Sequence, residues 1–583
     1  MPILRDYLIC DSTTLPRVAF HACGLLHTEP YFQASSGTSS LADIAVASTN
    51  TRYSLAPTSH IHHHYMAVPT HPHSRIVGFH PRGWTLNDDV VLYIVQFMCV
   101  GSAPWTPFGP STKDVRMLAA SSRHLRRICL PHVYCRYQWA WNSVTPRRSA
   151  FMPSTLWTYV TSFELDIQKF FGGHSDLVMN ETLQFPKALP DKIATAFPLM
   201  KNLRTVCLSQ FTVCGPWREL LESVFLAPAL QSLEIRNSPW QTYAEIFDTH
   251  DIPTPSLREF VYHAPFALLP ARKAQQDNAR RGMAQRAAEL SILHPLIHSF
   301  RASLETLELP AELFFDLFDA EFPVLRELRV EGYGPSDSQW VRLLRLAPRL
   351  RVFNVRLVPG DALDEMRLVD RMPEASDVID RLHSISLSNP SPRDLIFRLL
   401  PSTLTDLSLT TYPDHTTTAD LARCSLPKDI ISCPDLLSIL KSLSVPHLRS
   451  LAISYKWDRH RSQEELLRYI AHAFPGLDVL ELNQYHTPAN MQKTCMKQIK
   501  ETLSSLSQLR SLRLNLGYMQ TGQWLCDTTL QFDTHTAWDL GTWIRSLCDI
   551  SFLVMKAPLA PFDRPYGWVW TWRTYAVNGS GRS

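Results

Sequence analysis

The chain lacks several features that would assign it quickly to a class of protein. Its 583 residues contain no run that approaches the roughly 18 apolar residues of a membrane-spanning helix, so we expect no membrane segment. The twelve cysteines form no Cys-x-x-Cys pair, which argues against a thiolate zinc site and a dithiol redox motif. The formal net charge is only +3, a bias too small to predict a nucleic-acid partner.

Motifs that carry chemistry are missing as well. We find no glycine-rich phosphate loop, no Gly-x-Ser-x-Gly elbow and no His-Glu-x-x-His pair, so we expect no enzyme, no cofactor and no metal. The first residues also lack the apolar core of a secretory signal. Together with the scattered cysteines, this predicts a soluble protein of the cytoplasm or nucleus whose thiols are reduced.

Residues 1–80 form a polar stretch that is punctuated by proline. We expect this stretch to be a disordered tail. Its histidines could suggest a metal site, but such a site needs ligands held in place by a scaffold. We therefore favour a solvated histidine-rich tail. The histidines are His60, His62, His63, His64, His71 and His73.

Residues 84–134 predict three short helices. Apolar residues recur at helical spacing from Leu86 to Met98, with acids in the first turn. The proline- and glycine-containing stretch 99–112 ends this helix. A second helix is expected from Lys113 through Ala119, and a third from Arg123 to Leu130, where Pro131 ends it.

This segment resembles an F-box, whose opening reads roughly Leu-Pro-x-(Asp/Glu)-(Val/Leu)-Leu-x-x-Ile. It departs from the family in Asn87, where proline is usual, and in the length of the 99–112 insertion. The Leu130-Pro131-x-x-Tyr134 tail resembles one that often follows fungal F-boxes. The other matching residues are Leu86, Asp89, Val90, Val91, Ile94, Val95, Met98, Asp114, Leu118, Ser122, Arg123, Leu125 and Arg126.

The resemblance implies that these helices dock on a Skp-type adaptor within a cullin ligase core. An interaction scaffold whose F-box-like helices only cap the following domain is the alternative. The adaptor-binding residues implied by the resemblance are Leu86, Val90, Val91, Ile94, Met98, Leu118 and Leu125.

Beyond residue 200 the sequence motif Leu-x-x-apolar-x-apolar, which we call the repeat phrase, occurs eleven times. Its alternating apolar positions predict a short strand with one buried side, and a single unit cannot bury that side alone. The phrase is that of leucine-rich repeats. We therefore predict an α/β fold in which parallel strands line the concave face of a curved solenoid and helices its convex face. The phrases begin at Leu203, Leu230, Leu257, Leu304, Leu325, Leu350, Leu382, Leu404, Leu448, Leu477 and Leu509.

The predicted domain boundaries follow from these segments. Residues 135–195 connect the helices to the array, residues 196–520 form irregular repeats, and residues 521–583 form a C-terminal cap. In the cap, Trp568, Trp570 and Trp572 alternate, which favours a closing strand over an aromatic ligand platform. The pattern resembles that of fungal F-box proteins with leucine-rich repeats, and it implies a substrate receptor of an SCF ubiquitin ligase.

Strand alternation also predicts which side chains would face a substrate. Their charges alternate in sign, which suits a protein partner better than nucleic acid. A basic run from Arg272 to Arg286 is a further candidate contact, although we favour a solvated helix face there. The predicted substrate-binding residues are Arg236, Glu327, Arg329, Glu331, Arg356, Asp406, Glu481 and Arg513.

Overall fold

The computed structural model describes the chain from residue 88 onward, with gaps, and the predicted tail 1–80 lies outside it. The described residues are 88–100, 110–140, 151–167, 188–209, 211, 216, 218–236, 238, 240, 255–263, 275–333, 340–358, 367–369, 379–412, 430–457, 460–485, 492–516, 519–520, 523–524, 534–556 and 569–577.

Within these residues, fifteen strands form one sheet in which each strand pairs with the next one along the chain. The pairs are parallel from β1 to β16, and β17 is antiparallel to β16. A separate hairpin joins β14 (Met519–Gln520) and β15 (Gln523–Trp524). The strands of the large sheet are β1 (Arg136–Ala140), β2 (Ser162–Asp166), β3 (Thr205–Ser209), β4 (Ser232–Arg236), β5 (Glu259–His263), β6 (Thr306–Pro310), β7 (Glu327–Tyr333), β8 (Val352–Val358), β9 (Ser384–Ser388), β10 (Asp406–Thr410), β11 (Ser450–Lys456), β12 (Val479–Tyr485), β13 (Ser511–Leu516), β16 (Asp549–Lys556) and β17 (Val569–Ala576).

The eleven repeat phrases coincide with β3 to β13. In each phrase the first leucine lies two residues before the strand begins, as Leu203 does before β3. The prediction of parallel leucine-rich repeats is confirmed. The sheet also extends beyond residues 196–520, because β1 and β2 lie within 135–195 and β16 lies within 521–583.

Parallel strands need crossover connections, and most of those that the structure describes contain a helix. These helices bury apolar stripes against the inward side of the sheet, for example Leu220, Leu221 and Val224 on α5. The helices are α1 (Asp88–Val100), α2 (Pro110–Ser121), α3 (Arg123–Tyr134), α4 (Ala188–Ala196), α5 (Arg218–Phe225), α6 (Gln275–Phe300), α7 (Ala311–Leu317), α8 (Trp340–Arg345), α9 (Ile396–Leu399), α10 (Cys433–Ser442), α11 (His460–Ala473), α12 (Gln492–Leu503) and α13 (Thr534–Trp543), with two 3-10 turns at Ser154–Tyr159 and Phe197–Leu199.

One apolar core runs between the strands and these helices. Its inward rows cross from strand to strand in register, so that Leu307, Leu328 and Phe353 follow one another and are all fully buried. Burying one such side chain stabilises the fold by roughly 1.5–3 kcal/mol. Each repeat therefore depends on its neighbours to cover its apolar side.

Helices α1 to α3 pack on one another around a small core of their own. Ser122 caps α3, since its Oγ accepts a hydrogen bond from the Leu125 amide at 3.0 Å. The helix continues through Pro131 to Tyr134, beyond the end that the sequence predicts. Val133 packs into the small core, and this burial offsets the backbone hydrogen bond that proline cannot make. The buried members of this core are Val91, Val95, Val115, Ala119, Cys129 and Val133.

None of the helices in the described part of the chain is long and apolar enough to cross a membrane.

Candidate interaction surfaces

The sheet has one side that its own helices do not cover, and we call the side chains on it the open face. Alternation along each strand sends every second residue to this side. The parallel register then stacks these residues into rows that run across the sheet. The middle row reads Gln138, Glu164, Cys207, Glu234, Val261, Glu308, Arg329, Asn354, Ser386, Ser408, Ala452, Glu481, Arg513 and Ser551.

The first charged cluster of the open face lies on β4 to β6. Arg236 is paired with Glu234 on the same strand. His263 Nε2 lies 3.8 Å from Glu234 Oε1 and 3.5 Å from Glu308 Oε1. Burial alone would lower the pKa of Arg236, but its hydrogen bond to Glu234 and the neighbouring negative charges raise it above its usual value, so the guanidinium stays charged.

Cys207 lies next to this cluster in the middle row and is buried. Its burial, reinforced by the charge of Glu234, raises the pKa of the thiol above its usual range. A thiol held in its protonated form is a poor nucleophile.

A second cluster centres on Arg329 of β7. Its Nη2 lies 2.6 Å from Glu327 Oε1, and its Nη1 lies 3.3 Å from Glu308 Oε2 on β6. Partial burial by itself would lower the pKa of Arg329, but the hydrogen bond and charge of Glu327, together with Glu308, raise it. One guanidinium thus links carboxylates on two neighbouring strands.

A cavity of about 250 Å³ opens beside Arg329. On its far side, Arg356 Nη1 lies 4.0 Å from Glu331 Oε2, and Tyr412 Oη donates a hydrogen bond of 2.6 Å to Glu331 Oε1. Its walls are polar and carry both signs of charge, which suits charged groups of a partner better than an apolar ligand. The lining residues are Glu308, Glu327, Arg329, Val330, Glu331, Asn354 and Arg356.

The structure groups some of the predicted substrate-binding residues and separates others. Glu327, Arg329, Glu331 and Arg356 line the one cavity. Arg236 belongs to the neighbouring cluster on β4.

The remaining three lie farther along the sheet. Asp406 is on β10, and Glu481 on β12 pairs with Arg513 on β13, with Oε2 and Nη1 3.4 Å apart.

Two members of the clusters, His263 and Glu308, were not among the predicted residues. Glu308 stands at an outward position of its phrase, and the same alternation that selected Glu327 and Arg329 would have found it. His263 ends β5, and only the register shows that it faces both Glu234 and Glu308.

Some outward positions in the later strands offer little to a partner. Ser454, Asn483 and Asn515 lie side by side on β11 to β13 and are all buried. Asn483 Nδ2 donates to Glu481 Oε1 at 2.9 Å and orients that carboxylate. The charged side chains on β4 to β8 are half-buried or buried and form two clusters, whereas Asp406 on β10 and Arg513 on β13 are exposed.

The three-helix unit presents a different surface, made of apolar side chains. Val90 is 46% exposed and Tyr93 is 71% exposed on α1, while Met117 on α2 is 64% exposed. Leu92 also lies at the surface.

Among the residues that the F-box resemblance implies, Val90 lies at the surface and Val91 lies in the small core. Leu118 and Leu125 are half-buried against that core. Leu86 and the side chains of Ile94 and Met98 lie outside the described residues.

The two other candidate segments are only partly described. Trp572 lies on β17, opposite Leu553 of β16, so the alternating tryptophan segment forms the closing strand that the sequence favours. Trp568 lies outside the described residues. In the basic run, Arg286 on α6 is paired with Asp316 of α7.

Among the side chains that the structure describes, no three metal-ligating groups come together.

No family model and no curated protein matches the chain. Solved structures similar to it include a TLR13–ssRNA13 complex, with 15% identity and a TM-score of 0.27, where the match spans 61% of this chain and 36% of that one. The leucine-rich repeat-containing protein LegL7 of Legionella pneumophila has 12% identity and a TM-score of 0.31, with 64% and 97% covered. The leucine-rich-repeat ectodomain of GASSHO1/SCHENGEN3 of Arabidopsis thaliana, in complex with CASPARIAN STRIP INTEGRITY FACTOR 2, has 12% identity and a TM-score of 0.17, with 55% and 48% covered.

Two of these neighbours are leucine-rich-repeat structures by name, and none of the three has a TM-score above 0.31. The fold assignment rests instead on the strand order and register of this chain.

Proposed function

We propose that the chain is a non-catalytic substrate receptor of a cullin-type (SCF) ubiquitin ligase. In this proposal α1 to α3 dock on a Skp-type adaptor, and the open face holds a protein substrate. The chain contributes proximity, because it brings the substrate to a separate enzyme that transfers ubiquitin. The F-box resemblance of residues 84–134 supplies the identity of the adaptor.

The observation that carries the proposal is the apolar surface of the three-helix unit. Val90, Tyr93 and Met117 are not among the described members of the small core, and they are 46%, 71% and 64% exposed. Exposed apolar side chains grouped on one unit are typical of a protein-interaction site. Burying them under a partner would yield roughly 1.5–3 kcal/mol for each fully covered large side chain.

The open face supports the second half of the proposal. Charged side chains on β4 to β8 are held by ion pairs such as Arg329 with Glu327, which orients them before a partner arrives. Charged side chains fixed in this way favour specificity and association rate more than raw affinity.

The test is retention of a purified Skp-type adaptor by the immobilised chain. We expect Val90→Asp combined with Tyr93→Asp to abolish retention, because both changes place a carboxylate in an apolar interface. Leu199→Asp combined with Leu226→Asp is the matched control, since these residues are 55% and 43% exposed on the repeat array. If the wild-type chain retains no adaptor, or if the α1 variant retains it as well as the control does, the ligase role is wrong.

An interaction scaffold in which α1 to α3 only cap the array is the second candidate. It is favoured by Tyr134, which packs against both the small core and the main core. The Cys135 carbonyl also accepts hydrogen bonds from the Thr161 and Ser162 amides, both at 2.9 Å, and so begins the strand ladder directly after α3. For this candidate we expect the wild-type chain to retain no adaptor, and removal of α1 to α3 to lower the stability of β1 and β2.

A further inference from the structure

A row of residues lies just before the strands, at the edge of the sheet where the strands begin. The Arg204 carbonyl accepts hydrogen bonds from the Gln231 amide at 2.8 Å and the Ser232 amide at 2.9 Å. The Arg326 carbonyl accepts hydrogen bonds from the Arg351 amide at 2.8 Å and the Val352 amide at 2.9 Å. From β3 to β13 the row reads Arg204, Gln231, Arg258, Glu305, Arg326, Arg351, His383, Thr405, Arg449, Asp478 and Arg510.

Arginine dominates this row. Six of its members are arginines, only two are acids, and all six arginines are exposed. We call these six the arginine edge. Neighbouring strands lie about 4.8 Å apart, so the arginines recur along one border of the sheet at small multiples of that spacing. The members are Arg204, Arg258, Arg326, Arg351, Arg449 and Arg510.

Only part of this charge is neutralised within the chain. Glu305 lies between Arg258 and Arg326 in the row, 3.7 Å from a guanidinium nitrogen of each. Among the residues that the structure describes, the other four arginines form no ion pair. They are Arg204, Arg351, Arg449 and Arg510.

We propose that the arginine edge binds an acidic, carboxylate-rich segment of a partner protein. The guanidinium group forms a planar fork that matches a carboxylate with two parallel hydrogen bonds. Asp478 stands between Arg449 and Arg510 in the row but forms no ion pair with either among the described residues. Four exposed guanidiniums that form no ion pair with a described residue therefore leave this capacity unused. The site is separate from the apolar surface of α1 and α2, and it does not depend on the proposed ligase role.

The neighbouring residues favour separate carboxylates over a nucleic-acid backbone. The first open-face row lies one residue further along each strand, and it carries Glu259, Glu327 and Asp406. A phosphate backbone presents closely and evenly spaced negative charges, which these acids would repel. A peptide can instead place its carboxylates at the arginines and leave neutral side chains opposite the acids.

The probe is a fluorescently labelled oligoglutamate peptide, whose binding to the full chain is measured by fluorescence anisotropy at low and at physiological salt. The edge variant combines Arg204→Gln, Arg351→Gln, Arg449→Gln and Arg510→Gln. We expect its affinity for the peptide to fall on the order of ten-fold, since four exposed ion pairs of modest strength are lost. Its salt dependence should fall as well, because fewer charges take part.

A matched control removes the same charge from helices away from the edge, through Lys441→Gln, Arg461→Gln, Arg468→Gln and Lys497→Gln. We expect the control to bind as the wild-type chain does. Lysine at the four edge positions should restore only part of the affinity, because an ammonium group keeps the charge but lacks the planar fork of the guanidinium group. If the wild-type chain does not bind the peptide, or if edge and control variants weaken binding equally, the proposal is wrong. Tighter, edge-dependent binding of an oligothymidylate of matched length would also overturn it and would assign the edge to nucleic acid. Each of these results is independent of adaptor retention.

Discussion

Glu289 on α6 provides the sharpest test of how this core is built. Its carboxylate is buried, and its Oε1 accepts hydrogen bonds from Tyr262 Oη at 2.9 Å and Gln285 Nε2 at 3.1 Å. Its Oε2 is also buried and accepts no hydrogen bond from any residue that the structure describes. Burial is the main cause that raises the pKa of Glu289 from its ordinary 4.5 to about 7, and the charge of Glu312 adds to it.

This raised pKa links the stability of the fold to pH. Below pH 4.5 the carboxyl group is protonated in both the folded and the unfolded chain, and its contribution is present in full. As the pH rises, the unfolded chain ionises first, so the free energy of unfolding falls until the folded chain also ionises near pH 7. Because one pKa unit corresponds to about 1.4 kcal/mol, the total loss is about 3 kcal/mol.

Glu289→Gln isolates this effect, since the amide is neutral at every pH and its oxygen still accepts the Tyr262 hydrogen bond. We expect the stability of the variant relative to the wild-type chain to increase by about 3 kcal/mol between pH 4.5 and pH 8. Amide hydrogen exchange on β5 and α6 measures it locally, which avoids assuming two-state unfolding of a repeat array. Glu219→Gln, at an exposed position of α5, is the control. A difference between variant and wild type that does not change with pH would refute the burial argument.

Two further substitutions test the backbone and the core. Gly332 has a φ of +136°, and a β-carbon there would overlap the Glu312 carboxylate, so we expect Gly332→Ala to lower the local stability by about 2 kcal/mol, measured by amide hydrogen exchange. Gly476→Ala is the control, because its β-carbon would meet no atom within 4 Å, and an equal loss in both variants would contradict the reasoning. Leu328→Ala removes a fully buried side chain and should cost about 2–5 kcal/mol, measured in the same way. Met117→Ala, at an exposed position, should change stability by less than about 0.5 kcal/mol, and a similar loss in both would place Leu328 outside the core.

The extent of the array shows where sequence reasoning stopped short. β2 begins two residues after Val160, which stands where the other copies of the repeat phrase have leucine. The search for leucine therefore did not identify this repeat. β16 follows Leu547 and fits the phrase, and its interval from Leu509 is shorter than the one between Leu257 and Leu304, so the pattern alone could have identified it. Parallel pairing with β3 and β13 identifies these strands without any pattern, because the backbone hydrogen bonds of a parallel ladder are independent of side-chain type.

The candidate surfaces were also predicted in part from the sequence pattern and decided in part by the tertiary structure. Alternation within a strand was enough to select Arg329 and Glu331 as outward-facing. It could not show that Glu308, on the preceding strand, completes the Arg329 cluster, because that contact depends on the register between strands. The apolar spacing of α1 likewise predicted an amphipathic helix, but only packing against α2 and α3 placed Val91 inside and Val90 outside.

The sequence by itself determined the repeat unit, because the alternation of apolar residues and the phrase Leu-x-x-apolar-x-apolar act over a few neighbouring residues. The net charge also follows from the sequence, and its value of +3 did not predict a surface region whose charges share one sign. The tertiary structure alone decided how those charges are distributed. Stacking in register gathers Arg204, Arg351 and Arg510 onto one border of the sheet, although many residues separate them along the chain. It also buries Glu289 beside Tyr262, and this burial sets the ionisation of that carboxyl group.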